Sequence, residues 1–435
     1  MQATAAGPAR WFAAAVVGWC VPVVASAASP TAPTADGLIG SPEPDWPQWR
    51  GRNRDGICHE KGLLARWPEG GPKLLWSVSG LGRGWSSPII CRGSLYITGD
   101  VESDLIVRAY GLDGKPKWKA TNGRAWKRSW PGARASCAYA GERLYHMNAN
   151  GRAACLEANS GREIWAVNTL QRFAAQVPRW GISECLLVDG RRVIVTPGGR
   201  KGLCAALDAE TGDTVWASKP VAGERAGYAS PILFRHGGRR HIVGQSSRHA
   251  YGVDAETGKL LWTHPRPTRY EVLGCMPVYH EGTVFVTSPD DKIGERLRLK
   301  SAAGGVGVEP IWSTPVNNLT GGAVLVGGRL FSSGYRHNDH WFCVDFATGK
   351  TLYEKKDLNS GSAVWADGRL YCLSERGEMA LLRPTEAGFE TAGRFRLIQQ
   401  KRRDVWAHPV IHKGRLYLRY HDTLWCYDVR GAGGR

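Results

Sequence analysis

The feature that most constrains this chain is a short segment that recurs along it. Its best-formed copy runs Ala206-Leu207-Asp208-Ala209-Glu210-Thr211-Gly212-Asp213-Thr214-Val215-Trp216, and the next is Val253-Asp254-Ala255-Glu256-Thr257-Gly258-Lys259-Leu260-Leu261-Trp262. Cys155, Glu157, Ser160, Gly161 and Trp165 mark another copy; Cys343, Asp345, Thr348, Gly349 and Tyr353 mark one that closes on Tyr instead of Trp. Asp113-Gly114-Lys115-Pro116-Lys117-Trp118 is a shortened version with the same distance from Gly to Trp. Each piece has a physical task. The acidic side chain accepts hydrogen bonds from turn amides. The Gly takes positive φ, which closes a hairpin with a bulge. The Trp begins an outer strand and offers a broad flat face to the neighbouring unit. A unit this small cannot bury its own faces, so neighbours must stack.

A second marker occurs upstream of each turn, a short strand after a Gly or basic turn. The copies begin at Ser94, Arg143, Arg192, Arg240, Thr283, Arg329, Arg369 and Arg415, eight in all and 40 to 49 residues apart. That period is the spacing of four-stranded propeller blades. A length of 435 residues would otherwise suggest two or three domains. The spacing predicts an all-β, single eight-bladed β-propeller over residues 73–430. The outer-strand aromatics are Trp76, Trp118, Trp165, Trp216, Trp262, Trp312, Tyr353 and Phe395. The last unit lacks a downstream Trp, so residues 73–78, with Trp76, are expected to complete the last blade and close the ring, which removes the exposed sheet edge. The turns around Lys300 and Pro384 have lost the signature, in the fifth and seventh units.

Composition fits this reading. Apolar residues make up 43% and charged residues 22%, too apolar for disorder. The 55 Gly and 19 Trp suit Gly-rich turns with about one docking Trp per unit. Residues 1–28 read as a signal peptide: Arg10, an apolar run over 11–24, and the small-residue pattern Ala25-Ser26-Ala27. The run is short for a membrane span and contains Pro22. Cys20 follows the bulky Trp19 where a lipidation signal needs a small residue, so simple export is preferred to lipidation. Residues 29–44, rich in Pro, Ala and Thr, read as a disordered spacer. Residues 45–72 read as a lead segment packing on the propeller. No transmembrane segment is expected.

Ten cysteines follow the signal, none adjacent and none in a CxxC pair. Cys155, Cys343 and Cys426 fall two residues before an acidic repeat position, where other units carry Ala206, Gly111 or Gly252; a small buried slot in a strand explains them.

The pattern matched from Ala206 to Trp216 resembles the tryptophan-docking repeat of quinoprotein dehydrogenases, which also occurs in the propeller subunit of the bacterial outer-membrane assembly machinery. The opening Asp45-Trp46-Pro47-Gln48-Trp49-Arg50-Gly51, with Trp67-Pro68 and Gly71-Pro72-Lys73-Leu74-Leu75-Trp76, is similar to the start of exported bacterial PQQ-like propeller proteins. The resemblance spans roughly residues 45–430 and speaks to fold more than to function. It implies two functions. As a quinone-dependent dehydrogenase, the chain would hold PQQ and Ca²⁺; such enzymes carry adjacent cysteines over the cofactor and acidic and amide calcium ligands. Here the only tight acidic pair in the loops is Asp290-Asp291, and no haem-attachment motif occurs. As a binding or assembly scaffold, it would act through its loops.

The loops favour the second reading. Connections between one blade's outer strand and the next blade's inner strand all emerge on one face. Several are basic and aromatic: Arg124-Ala125-Trp126-Lys127-Arg128-Ser129-Trp130 with Arg134, the loop from Arg172 to Trp180, that from Arg266 to Tyr270, and Lys401-Arg402-Arg403-Asp404-Val405-Trp406. The candidate ligand-binding residues are Trp85, Trp126, Arg128, Arg134, Trp180, Tyr228, Trp406 and His408; no catalytic or metal-ligating residue is assigned. Arginines grip carboxylate or phosphate and flat aromatics stack on sugars or peptide planes. The net charge of +18 favours an anionic partner, a protein segment or an anionic polysaccharide of the cell envelope rather than nucleic acid. Arginines in the turns before the repeat strands are simply solvated, and half or more of the Trp residues dock blades. His337-Asn338-Asp339-His340 reads as a hydrated loop rather than a metal site.

Overall fold

The computed structural model describes residues 45–289, 293–302 and 305–431, together with residues 1, 2 and 7. Apart from residues 1, 2 and 7, the proposed signal peptide and the spacer, with Arg10 and Cys20, lie outside the described residues, as does the pair Asp290-Asp291. The chain groups into two units, 1–31 and 32–435, and the architecture below belongs to the second.

The strands of the described residues pair into eight sheets. Seven are formed in chain order: blade 1 (89–124), blade 2 (138–168), blade 3 (187–217), blade 4 (232–265), blade 5 (278–314), blade 6 (323–355) and blade 7 (361–396). The eighth combines Val410–His412, Arg415–Tyr420 and Thr423–Asp428 with Lys73–Val78, which pairs antiparallel to the last of these. The ring is an eight-bladed β-propeller closed by strands from both ends of the chain. The only α-helix among the described residues is Thr169–Arg172, and none is long and apolar enough to cross a membrane.

Burial follows the layer order. Inner strands such as Ile89–Cys91 and Val410–His412 are buried throughout, because blades cover both of their faces. In the outer strand Thr214–Ala217 only Trp216 is buried. The turns are built as their residues require. The Asp208 carboxylate accepts from the amides of Glu210 and Thr211 at 2.8 and 3.0 Å, and Gly212 takes φ +76°. In blade 6 the hydroxyl and amide of Thr348 hold the Asp345 carboxyl below the usual carboxylate range.

The outer Trp of one blade lies over the turn Gly of the next. A Cβ built on Gly161 would stand 2.5 Å from Trp118 Cε3, and one on Gly212 would stand 2.7 Å from Trp165 Cε3. Trp216 covers Gly258, Trp312 covers Gly349, and Trp76 of the closing strand covers Gly114 of blade 1. The indole N–H of Trp118 donates to Ala158 O at 3.0 Å, and that of Trp76 to Leu112 O at 3.0 Å. Trp262 is buried without such a bond among the described residues, and Tyr353 meets Phe389 edge-on at 4.9 Å.

Two positions differ from the sequence expectation. The residue opposite the outer-strand aromatic is Cys155, Ala206, Gly252, Cys343 or Cys426 in blades 2, 3, 4, 6 and 8 and Arg296 in blade 5, but in blade 1 it is Ala109, not Gly111, because the shorter turn shifts the register. In blade 7 the register places Gly393, not Phe395, at the docking position. Trp67 of the lead segment fills that place: its Cβ would be 2.5 Å from a Cβ on Gly393, and its ring lies 5.8 Å from Tyr371. Trp118 and Trp165 make the equivalent contact with Tyr96 at 5.9 Å and Tyr145 at 6.1 Å.

The lead segment also crosses the central channel. Trp46 pairs with Ile90 of blade 1, Tyr139 N of blade 2 donates to Pro47 O, and Ile57–Cys58 adds a parallel strand to the inner strand of blade 7. Two buried arginines tie distant blades together. Arg54 donates to Cys185 O and Leu186 O at 2.9 and 3.0 Å, and Arg50 donates to Ala323 O at 2.5 Å. Burial lowers both pKa values, that of Arg54 to about 10. The ten described cysteines are all buried thiols without disulfides.

Candidate functional site

Where the connections between blades gather, they enclose a pocket of about 530 Å³, within the ~300–1,000 Å³ range of small-molecule sites. Trp85 enters ahead of blade 1, Trp130 and Arg134 between blades 1 and 2, Arg179 and Trp180 between blades 2 and 3, and Tyr228 between blades 3 and 4. Tyr270, Thr320 and Trp406 come from three later connections. Tyr335 and Glu375 add bends between the second and third strands of blades 6 and 7, which reach the same face. The lead segment contributes Trp49, so the plug that crosses the channel also supplies part of the pocket wall.

The aromatic rings are fixed at angles to one another. Trp130 and Trp180 lie 6.4 Å apart at 80°, and Trp180 and Tyr270 6.0 Å apart at 81°. Trp85 and Trp406 lie 4.9 Å apart at 35°. Asp404 joins two of these walls: its main-chain carbonyl accepts from Trp85 Nε1 at 3.1 Å and its Oδ2 from Trp130 Nε1 at 2.9 Å. Trp130 is 47% exposed and takes φ +51°, while Arg336 on the opposite wall takes φ +55°. Left-handed non-Gly residues persist where the surroundings over-determine them, as binding sites often do.

Charge is divided within the pocket. The Arg134 guanidinium lies 5.3 Å from the Trp85 ring and 5.5 Å from the Trp126 ring, a cation–π pairing, and donates to Gly132 O and Trp130 O at 2.6 Å. Burial lowers its pKa to about 10, against the opposing pull of Asp100. Burial and the nearby Asp404 push the Glu375 carboxyl up to about 7. Beside the main pocket is a smaller one of about 210 Å³, lined by Arg179, Arg225, Arg269 and Glu271 and sharing Tyr228 and Tyr270 with it.

Of the residues chosen from sequence, Trp85, Arg134, Trp180, Tyr228 and Trp406 line this pocket. Trp126, Arg128 and His408 do not. Trp126 is buried behind the wall, its N–H donating to Ser129 O at 3.0 Å, and exposed Arg128 stands over its ring. His408 is buried edge-on to Trp49 at 4.9 Å, with its Nε2 2.9 Å from Thr320 O; burial lowers its pKa to about 3. Trp49, Trp130, Tyr270, Tyr335, Glu375 and Asp404 were not chosen. Trp130, Tyr270 and Asp404 lay in loops already marked as basic and aromatic; Trp49, Tyr335 and Glu375 carried no such signal. The sequence 337–340 forms part of a bend whose Asp339 carboxylate accepts from Ser360 N at 2.7 Å and Asn359 Nδ2 at 2.7 Å.

A family model described as outer membrane protein assembly factor BamB matches residues 103–289. The outer membrane protein assembly factor BamB of Burkholderia pseudomallei is 26% identical over 271 residues, 59% of this chain, and the match spans only 62% of that protein's length. Among solved structures, BamB from Moraxella catarrhalis superposes with a TM-score of 0.57 at 15% identity, over 82% of this chain and 97% of its own. Quinohemoprotein alcohol dehydrogenase from Comamonas testosteroni gives 0.61 at 13% identity, over 90% and 81%. At such identities the superpositions speak to fold alone. The chain is an eight-bladed β-propeller, similar in sequence to the outer membrane protein assembly factor BamB over residues 103–289 and in fold to BamB and a quinohemoprotein alcohol dehydrogenase.

Proposed function

We propose that this chain is a non-catalytic binding or assembly scaffold of the cell envelope, which engages its partner through the loop-bearing face. The observation that carries the proposal is the convergence of aromatic side chains from six inter-blade connections on one pocket, with exposed arginines around it, Arg128, Arg179, Arg269, Arg402 and Arg403 among them. Aromatic and Arg residues are those that dominate recognition energies at interfaces. The likeness to a protein named as an outer membrane protein assembly factor supports a protein partner in the envelope, and the basic surface selects an acidic segment of it.

The second reading, a quinone-dependent oxidoreductase, fits the pocket poorly. A planar quinone is best held between parallel surfaces, and the neighbouring rings measured here are tilted or perpendicular. Of its two carboxylates, Asp404 already accepts from Trp130, and no group of three or more His, Cys, Asp or Glu that could hold a metal is found among the described residues. Calcium takes six to eight oxygen ligands.

The test is affinity capture from envelope extracts with the wild-type chain and with the double variant Arg402→Glu/Arg403→Glu, at low and high salt. A partner lost on charge reversal and weakened by salt is expected. Capture indifferent to both changes would refute the basic face.

A further inference from the structure

We propose that the pocket and its adjoining arginine recess bind the end of an acidic saccharide, with sugar rings against Trp180 and Tyr270 and a uronate carboxylate held by Arg179 and Arg269. This deepens the reading that the loop face is the binding face and rests on it.

The argument starts from the two arginines. Arg179 lies 5.0 Å from the centre of the Trp180 ring and Arg269 lies 5.2 Å from that of Tyr270, so each is placed by a side chain that also lines the main pocket. Both line the smaller recess, and neither has an ion-pair partner among the described residues. The third arginine there, Arg225, is already engaged by Glu271 at 3.1 Å, a carboxylate that also pairs with Arg248. The recess therefore presents two uncompensated guanidiniums a short step from an aromatic wall. Guanidinium forks match a carboxylate geometrically.

The main pocket decides what the rest of the ligand must be. Its lining also carries Glu375 and Asp404, which repel a ligand that is anionic throughout but accept hydrogen bonds from hydroxyl groups. Ser129, Ser183 and Thr320 add further hydroxyls. The rings face in several directions, which suits the puckered C–H faces of successive sugars better than a flat body. A molecule charged at one end and hydroxylated along the other meets all three conditions.

The probe is a trisaccharide with a single uronate at one end, glucuronosyl-xylobiose, titrated against the intact chain by calorimetry and tryptophan fluorescence. Its fully methyl-esterified form, a neutral glucose trimer, an acidic peptide and sodium phosphate are run beside it. Binding of the free acid is expected to exceed that of the ester. Arg179→Gln and Arg269→Gln should each weaken the acid by about tenfold while leaving the ester unchanged. Trp180→Ala should weaken both. Each variant is accepted only if its unfolding midpoint stays with the wild type. Equal binding of acid and ester, preference for the peptide or for phosphate, or no binding by any saccharide would overturn the proposal. Capture of an envelope partner is measured on the same Arg179→Gln/Arg269→Gln protein. If saccharide binding fails while capture through the loop face persists, this inference falls alone; if both fail, the scaffold reading falls with it.

Discussion

Gly161 occupies the turn of blade 2 at φ +74°, directly beneath the Trp118 ring of blade 1. Replacing it with Ala has two separable costs. A Cβ residue in the left-handed region costs about 1–2 kcal/mol. The new Cβ would also fall 2.5 and 2.7 Å from Trp118 Cε3 and Cζ3, and the ring is held by its N–H bond to Ala158 O. Displacing a packed ring adds about 1–3 kcal/mol. Gly190, in the turn of blade 3, is the control: its φ is +56° and a Cβ there meets nothing within 4 Å. Gly161→Ala should therefore destabilise by about 2–5 kcal/mol and Gly190→Ala by only about 1–2. Urea unfolding followed by circular dichroism reads the difference as a shift in midpoint at constant slope. In a Trp118→Ala background, itself costly, Gly161→Ala should cost no more than Gly190→Ala does. Equal costs for the two glycines in the wild-type background would show that Trp118 does not staple the blades.

Three further outcomes are expected. Arg50→Met leaves the buried carbonyl of Ala323, and the half-buried one of Asp55, without this donor; at about 1–3 kcal/mol for the buried group it should lower the unfolding midpoint well beyond a surface Arg402→Met control. His408 has a folded pKa near 3 against an ordinary 6.5, so as pH falls below 6.5 the unfolded chain takes up the proton that the folded chain refuses. Stability present above pH 6.5 is lost down to about pH 3, and His408→Gln should remove about 2–3 kcal/mol of the wild-type loss between pH 7 and 4.5, read from denaturation midpoints at both pH values. Because all ten described cysteines are buried thiols, a thiol reagent should label none of them quickly in the folded protein and all ten in denaturant.

The ring itself could be read from the sequence because each unit repeats the same local physics: an acid that caps a turn, a Gly at positive φ, and a Trp over the next turn. The closing strand followed from the same count. What could not be read was register and substitution at a distance. The absent Trp of blade 7 is supplied by Trp67, more than 300 residues earlier in the chain, and nothing local to Gly393 announces it. The short turn of blade 1 moved its small-residue slot from Gly111 to Ala109. The pocket was half legible. Loops rich in Arg and aromatics marked the right face, but burial divides neighbours in one loop: Trp130 opens to the pocket, while Trp126, four residues away, supports the wall from behind. Trp49 became a wall residue only because the lead segment crosses the channel.

The most direct test of the loop face as the binding surface is site-specific photocrosslinking in envelope extracts. A photoreactive phenylalanine at Trp130 or Tyr270, on the pocket, is compared with one at Val215 or Leu352, exposed on outer strands. Adducts to an envelope component from the first pair and not the second are expected. Adducts confined to the outer-strand positions would contradict the account.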